Sequence, residues 1–170
     1  MKETTQQYRK RILSLLRGRK PLAILASTPR QVAGLVKGVP KKRLAARPAK
    51  GAWSAVEILA HLADSELVQG FRLRLILGSN GTPIQAFDQD VWAEYSSYAK
   101  HDPALSLESF RVNRERTLRL LKSVPRRLLS NYGVHSERGK ETMKRVLEMM
   151  AGHDINHVEQ LRRLLRNARS

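Results

Sequence analysis

The sequence predicts an all-α chain of four main helices packed as a bundle, and three observations predict it. Long segments carry apolar residues at spacings of three and four, the repeat of one helix face. Glycines and prolines collect between those segments, where they interrupt helix. No alternating apolar and polar run of useful length appears, so nothing reads as a half-buried strand. A chain of 170 residues is the size of one domain and can bury a core. We read residues 1–170 as a single domain, with residues 1–20 as a candidate flexible N-terminal arm.

From the N-terminus, Thr5 to Leu16 and Pro29 to Lys37 read as a broken helix punctuated by Gly18, Pro21 and Pro29. Pro40 to Gly51 reads as a basic connector. The stretch Ser54-Ala-Val-Glu57 is a capping-box pattern, in which a serine hydroxyl and a carboxylate each satisfy a free amide at a helix start. A second helix therefore begins there, with Val56, Leu59, Leu62, Leu67, Phe71 and Leu75 as its apolar positions, and the glycine-rich turn from Gly78 to Gly81 ends it. After a loop holding Pro83 and Pro103, a third helix is expected from about Ser106, carrying Leu107, Phe110, Leu118 and Leu121 up to Pro125. The last helix is expected from Lys140 to Thr142 onward to the C-terminus, on a stripe of Met143, Val146, Leu147, Met150, Leu161, Leu164 and Leu165.

Bulk composition excludes several classes of function. There is no cysteine, which removes disulfide scaffolds, thiolate metal sites and cysteine nucleophiles, so any metal must be held by nitrogen and oxygen. No apolar run approaches the roughly 20 residues of a membrane span, and Met1 is followed by the polar KETTQQYRKR. The expected location is the cytoplasm. A formal charge of +17 raises nucleic-acid binding as a function. The basic residues are nevertheless spread along the chain, with no phosphate loop, finger spacing or aromatic RNA motif beside them, so the charge speaks first to non-specific attraction.

The segment GHDINHVEQL, Gly152 to Leu161, places His153 and His157 four residues apart. Such residues lie above one another on one helix face. Val146, Met150, His153, His157, Leu161 and Leu164 follow one another by three or four, so both imidazoles are in phase with the buried stripe. Two inward imidazoles are either core histidines satisfied by hydrogen bonds or a pair satisfied together by a divalent cation. A third nitrogen is available from His61, in EILAHLADSE, and a bundle builds metal sites from inward side chains on facing helices. Three imidazoles with open positions suit zinc, nickel, iron or manganese, and an open position is what catalysis by a metal needs. The outline HDINH also suggests a zincin, but no third ligand stands downstream of His157 except Glu159 on the same helix.

These stretches, WSAVEILAHLADSE from Trp53 and AGHDINHVEQLRRL from Ala151, resemble the DinB-like superfamily of four-helix-bundle proteins, also called the DinB/YfiT group. TPRQVAGLVKGVP, FDQDVWAEY and GVHSERGKET follow the same family's pattern in order. The resemblance implies an up-down-down-up bundle, often a homodimer, with a divalent metal on three histidines that fall here on His61, His153 and His157. It implies a metal-dependent enzyme, a hydrolase or a thiol transferase acting on a small-molecule substrate with a low-molecular-weight thiol, or else a non-catalytic metal-binding bundle that serves structure or sensing.

Around those histidines, Asp64, Asp154 and Gln160 are candidates to orient an imidazole or to exchange a proton. Glu57 reads as a helix cap, and Trp53 as an apolar staple or a residue at a pocket mouth. Asp88, Trp92 and Tyr95 are candidates for a lid or a dimer contact. His135 is expected in a solvated loop and His101 at the surface.

Overall fold

The structure, a computed structural model, describes residues 3–166. Helix α1 spans Thr5–Ser14 and is opened by a capping box in which the Gln7 amide donates to the Thr4 hydroxyl while the Gln7 side chain accepts from the Thr4 amide. Residues 5–14, expected within an N-terminal arm, thus form a helix, and its Ile12 is fully buried. Helix α2 spans Pro21–Val36, and the short α3 spans Lys41–Ala45. Helix α4, Ala55–Gly78, begins at the Ser54/Glu57 capping box. Strand β1 (Thr82–Ile84), α5 (Gln89–Tyr95), α6 (Pro103–Ser123), β2 (Tyr132–His135), β3 (Gly139–Thr142) and α7 (Met143–Leu165) follow, with short 3-10 turns at Tyr98–Lys100 and Arg126–Ser130. The expected continuation of α7 to the C-terminus falls, for residues 167–170, outside the described residues.

Pro29 does not break its helix. It sits inside α2, where the missing N–H leaves the Leu25 carbonyl without its usual partner. The Arg114 guanidinium supplies the replacement, with Nη1 donating to Leu25 O at 2.9 Å. Helix α6 starts earlier than Ser106, because proline is well suited to the first helical position and Asp102 caps the turn, accepting from the amides of Ala104 at 2.8 Å and Leu105 at 3.0 Å. Helix α7 starts at Met143, with Thr142 as its cap, so Lys140 to Thr142 belongs to a strand rather than to the helix. That strand joins a small sheet of order β1-β2-β3, β1 parallel to β2 and β2 antiparallel to β3. Strands of three or four residues are too short for an alternating pattern to be read from sequence.

The long helices α2, α4, α6 and α7 form the bundle. Glu66 meets Arg114, and four residues on, Gly70 lies against Thr117, so α4 and α6 run parallel. Gln31 of α2 bonds Arg162 of α7 while Ile24 and Leu25 pack in one cluster with Leu147 and Met150, so those two helices also run parallel. Residues near the start of α4 (Val56, Ile58, Leu59) pack with the end of α7 (Leu161, Leu165), which makes the two pairs antiparallel. The order is up, down, down, up. A chain that leaves one end of α4 must climb back the length of the bundle before α6, and residues 79–102 make that climb. Two apolar clusters fill the interior, one around Leu25, Leu73, Ile76 and Met143, the other around Val32, Ile58, Phe110 and Leu161. A belt of buried polar residues (Thr28, Glu66, Arg114, Thr117 and Asp154) lies between them.

Candidate metal centre

His61 lies two turns into α4, and His153 and His157 lie on α7, which faces it. The antiparallel pairing of these helices brings all three rings together. His153 Nε2 is 2.9 Å from His61 Nε2 and 3.1 Å from His157 Nε2, and the three ligand nitrogens lie within 4.8 Å of one another. His61 and His157 are buried, and His153 is partly exposed. Burial first, and the neighbouring imidazoles second, hold the pKa of His61 and of His153 well below the ordinary value. Burial brings His157 down to about 4 although its bond to Gln160 works the other way. All three are neutral at pH 7, the form that binds a metal.

Protons fill this arrangement only with a long bond, from Ser65 Oγ to His61 Nε2 at 3.3 Å. His157 Nδ1 donates to Gln160 Oε1 at 3.0 Å, which leaves Nε2 with a bare lone pair aimed at His153. If His153 Nε2 carries a proton, it can serve one neighbour well and not both. If it is bare, it accepts from His61 and its lone pair confronts that of His157. A cation shared by three lone pairs removes the conflict. Nitrogens about 2.1 Å from a common ion stand roughly 3 Å apart when the angle at the ion is roughly 90–100°, and the two separations from His153, 2.9 and 3.1 Å, match that. The residues present therefore fit a divalent metal held by three imidazoles.

The surroundings fix the rings. The Trp53 indole lies over His61 with ring centroids 4.9 Å apart, so it lines the site and does not act as a staple alone. Ser65 Oγ is 3.3 Å from His61 Nε2. A Cβ at Gly152 would collide with the carbonyl oxygen of Ile12, so only glycine lets α1 lie against α7 one residue before His153. Arg11 of the same helix donates to Asn156 Oδ1 at 3.0 Å, one residue before His157.

The carboxylates expected near the site are committed elsewhere. Both oxygens of Asp154 accept from Arg114, at 2.6 and 3.1 Å. Asp64 Oδ2 accepts from the Tyr98 hydroxyl at 2.6 Å, which ties the climbing segment to α4. Neither makes a hydrogen bond to an imidazole. Glu57 is the cap it was expected to be, and it also accepts from Arg47. Asp88 caps α5, where Trp92 packs on Phe87 and Tyr95 is largely exposed. His101 Nε2 lies 2.9 Å from Ser96 O, outside the centre. His135 is not solvated. It is buried on β2, its Nδ1 accepts from the Glu137 amide, and burial, with Arg138 and Arg72 nearby, lowers its pKa to about 4.

Arg114 and Glu66 did not emerge from the motifs. The guanidinium donates to Glu66, Asp154 and the Leu25 carbonyl, joining all four bundle helices at one point. Their inward phase was readable, because Phe110, Arg114, Thr117 and Leu121 follow one another by four, three and four.

The sequence profile of the DinB superfamily matches residues 24–161. YfiT of Bacillus subtilis, assigned provisionally as a metal-dependent hydrolase, is 24% identical over 149 residues, which cover 86% of this chain and 83% of that one. A protein of Oceanobacillus iheyensis with the same provisional assignment, OB0413, is 25% identical over 118 residues, 69% of this chain and 68% of its own. The solved structure of B. subtilis YfiT, described as an unusual four-helix bundle topology, superposes with a TM-score of 0.77 at 21% identity, covering 94% of this chain and 88% of that one. Among the described residues no helix is long and apolar enough to cross a membrane.

Proposed function

The chain belongs to the DinB superfamily, and we propose that it is a metal-dependent enzyme in which water or a low-molecular-weight thiol attacks an electrophilic small molecule at the His61, His153 and His157 centre. The observation that carries this reading is the convergence of three neutral imidazoles whose Nε2 atoms crowd one another, His153 lying 2.9 Å from His61 and 3.1 Å from His157. The provisional names of YfiT and OB0413 support the hydrolytic side of it. Zinc, nickel, iron or manganese bound there supplies Lewis-acid polarisation and lowers the pKa of a bound water or thiol.

The chain's own residues hold and shape that site. Gln160 Oε1 keeps the proton of His157 on Nδ1, so Nε2 stays available. Trp53 packs against the His61 ring at a tilt of 54° and limits how that ring can turn. Ser65 Oγ, the nearest hydroxyl to the imidazole nitrogens, is placed to exchange a hydrogen bond with a nucleophile at the partly exposed His153 side. Asp154 is spoken for by Arg114, so it anchors the α7 turn rather than taking a proton.

Purified protein loaded in turn with zinc, nickel, iron and manganese, and assayed for ester hydrolysis and for thiol transfer to a model electrophile, tests the proposal. Turnover is expected with at least one metal and is expected to fall about a hundredfold or more in His157→Ala, on the scale of losing a ligand or its orientation. Stoichiometric metal with no turnover in either assay would assign the centre to structure or sensing.

A further inference from the structure

Beside the centre, at the end of the bundle where α4 begins and α7 ends, lies a cavity of about 480 Å³. That is within the ordinary range of small-molecule pockets. It shares two residues with the centre: Trp53, whose ring lies on His61, and Gln160, which holds His157. Its walls carry three guanidinium groups and no carboxylate. Arg47 is held by Glu57 from outside the lining. The exposed guanidinium groups of Arg43 and Arg163 have no hydrogen-bond or ion-pair partner among the described residues. The rest of the lining is apolar, Leu164 and Pro48 among it.

We propose that the substrate or cosubstrate of the centre carries an oxyanion, a carboxylate or a phosphate, on an apolar body, and that Arg43 and Arg163 receive the oxyanion while the body lies along Trp53 and Leu164. This rests on the metal-enzyme reading above and names the chemistry its ligand must have. Guanidinium groups match planar carboxylates and phosphates with two donors at once. Two such groups with no carboxylate of the protein between them leave a positive field over a half-apolar cleft, where an anion with a hydrophobic tail satisfies both. None of the three histidines lines the cavity, so the ligand's far end meets the centre at Trp53 and Gln160, the two residues that touch both. Neutral ligands of the same shape gain only the apolar contact.

The test uses metal-loaded protein carrying Trp92→Phe, which leaves Trp53 as the single tryptophan of the two in the chain. Benzoate, phenyl phosphate and benzyl alcohol are titrated at constant ionic strength while Trp53 fluorescence is followed. Saturable binding of one or both anions is expected, with benzyl alcohol at least tenfold weaker, and the better anion identifies carboxylate or phosphate as the group. Arg43→Gln with Arg163→Gln is expected to weaken anion binding tenfold or more. The same charge change at Arg126 and Arg127, at the other end of the bundle, is expected to leave it within about twofold, which controls for the net charge. Equal affinity for anion and alcohol, or equal loss from the two double substitutions, overturns the proposal. Metal content is measured in each sample. Anion binding that persists in a His61→Ala protein holding no metal keeps the arginine site standing, whereas failure of discrimination in fully metal-loaded protein sinks the anion site alone.

Discussion

The three imidazoles and the Arg114 cluster are neighbours in the same bundle, joined through consecutive residues His153 and Asp154, yet they handle burial in opposite ways. Arg114 is surrounded by acceptors: Glu66 at 2.8 Å, Asp154 at 2.6 Å and Leu25 O at 2.9 Å. Burial works against its charge, but Asp154 and Glu66 outweigh that and hold its pKa above the ordinary value. The chain itself pairs Arg114 and both oxygens of Asp154, and leaves only Glu66 Oε1 of the cluster without a hydrogen-bond partner. The imidazoles are paired less well: their lone pairs point at one another, and burial keeps them neutral. A buried polar group that the protein satisfies is scaffold, and one it satisfies poorly is an invitation to a ligand.

That contrast predicts unequal responses to substitution. The largest effect on stability is expected at the Arg114 cluster. Arg114→Met leaves Glu66 and Asp154 as unpaired buried carboxylates and frees the Leu25 carbonyl, which should cost about 3–5 kcal/mol whether or not metal is present. Urea unfolding with and without chelator measures it, and a loss below about 1 kcal/mol would show that the cluster is not a scaffold.

Acid should separate the two regions next. In metal-free protein His157 and His135 have folded pKa values of about 4, below the unfolded value near 6.5. Above about pH 6.5 both states are neutral and stability does not depend on these groups. As pH falls from there toward 4 the unfolded chain takes up protons that the folded chain refuses, so stability falls. Metal-loaded protein should lose more over the same range, because protons also compete for the ligand nitrogens. Melting temperatures recorded from pH 7.5 to pH 4.5 (about three units, spanning the unfolded imidazole value) would contradict this if the metal-free protein became more stable on acidification.

The smallest expected effect sharpens the role of the imidazoles' supports. Gln160→Ala removes the acceptor that keeps the His157 proton on Nδ1, and metal affinity should fall about 10–100-fold. Unfolding of the metal-free protein should change by no more than about 0.5 kcal/mol, since Gln160 lies at the rim of the core. Chelator competition measures the first and urea the second. Unchanged affinity would mean that the tautomer is fixed by something other than Gln160.

Helices α4, α6 and α7 were legible because each carries a stripe at helical spacing, and α4 has in addition a cap and a glycine at its edges, Ser54 with Glu57 and Gly78. The phase of His153 and His157 was legible for the same reason, and it pointed inward before any ring contact was known. What was hidden depended on partners far along the chain. Pro29 looked like a break because local rules do not reveal that Arg114 will take over the Leu25 carbonyl. The sheet was missed because its strands are three or four residues long, too short to show a pattern, and because β1 pairs with residues far along the chain, Ile84 with His135, while only β2 and β3 pair as neighbours. Asp154 looked like a proton-exchange candidate from its place between two histidines. Its helix phase turns it to Arg114 instead.

If the proposed centre is right, one cation belongs between His61, His153 and His157. An anomalous-scattering map from crystals of the protein as purified, collected at the absorption edge of the bound element, tests it most directly. One strong peak is expected about 2.0–2.2 Å from the Nε2 atoms of all three residues. Three rings in contact with no peak between them, in crystals saturated with zinc, nickel, iron or manganese, would contradict it.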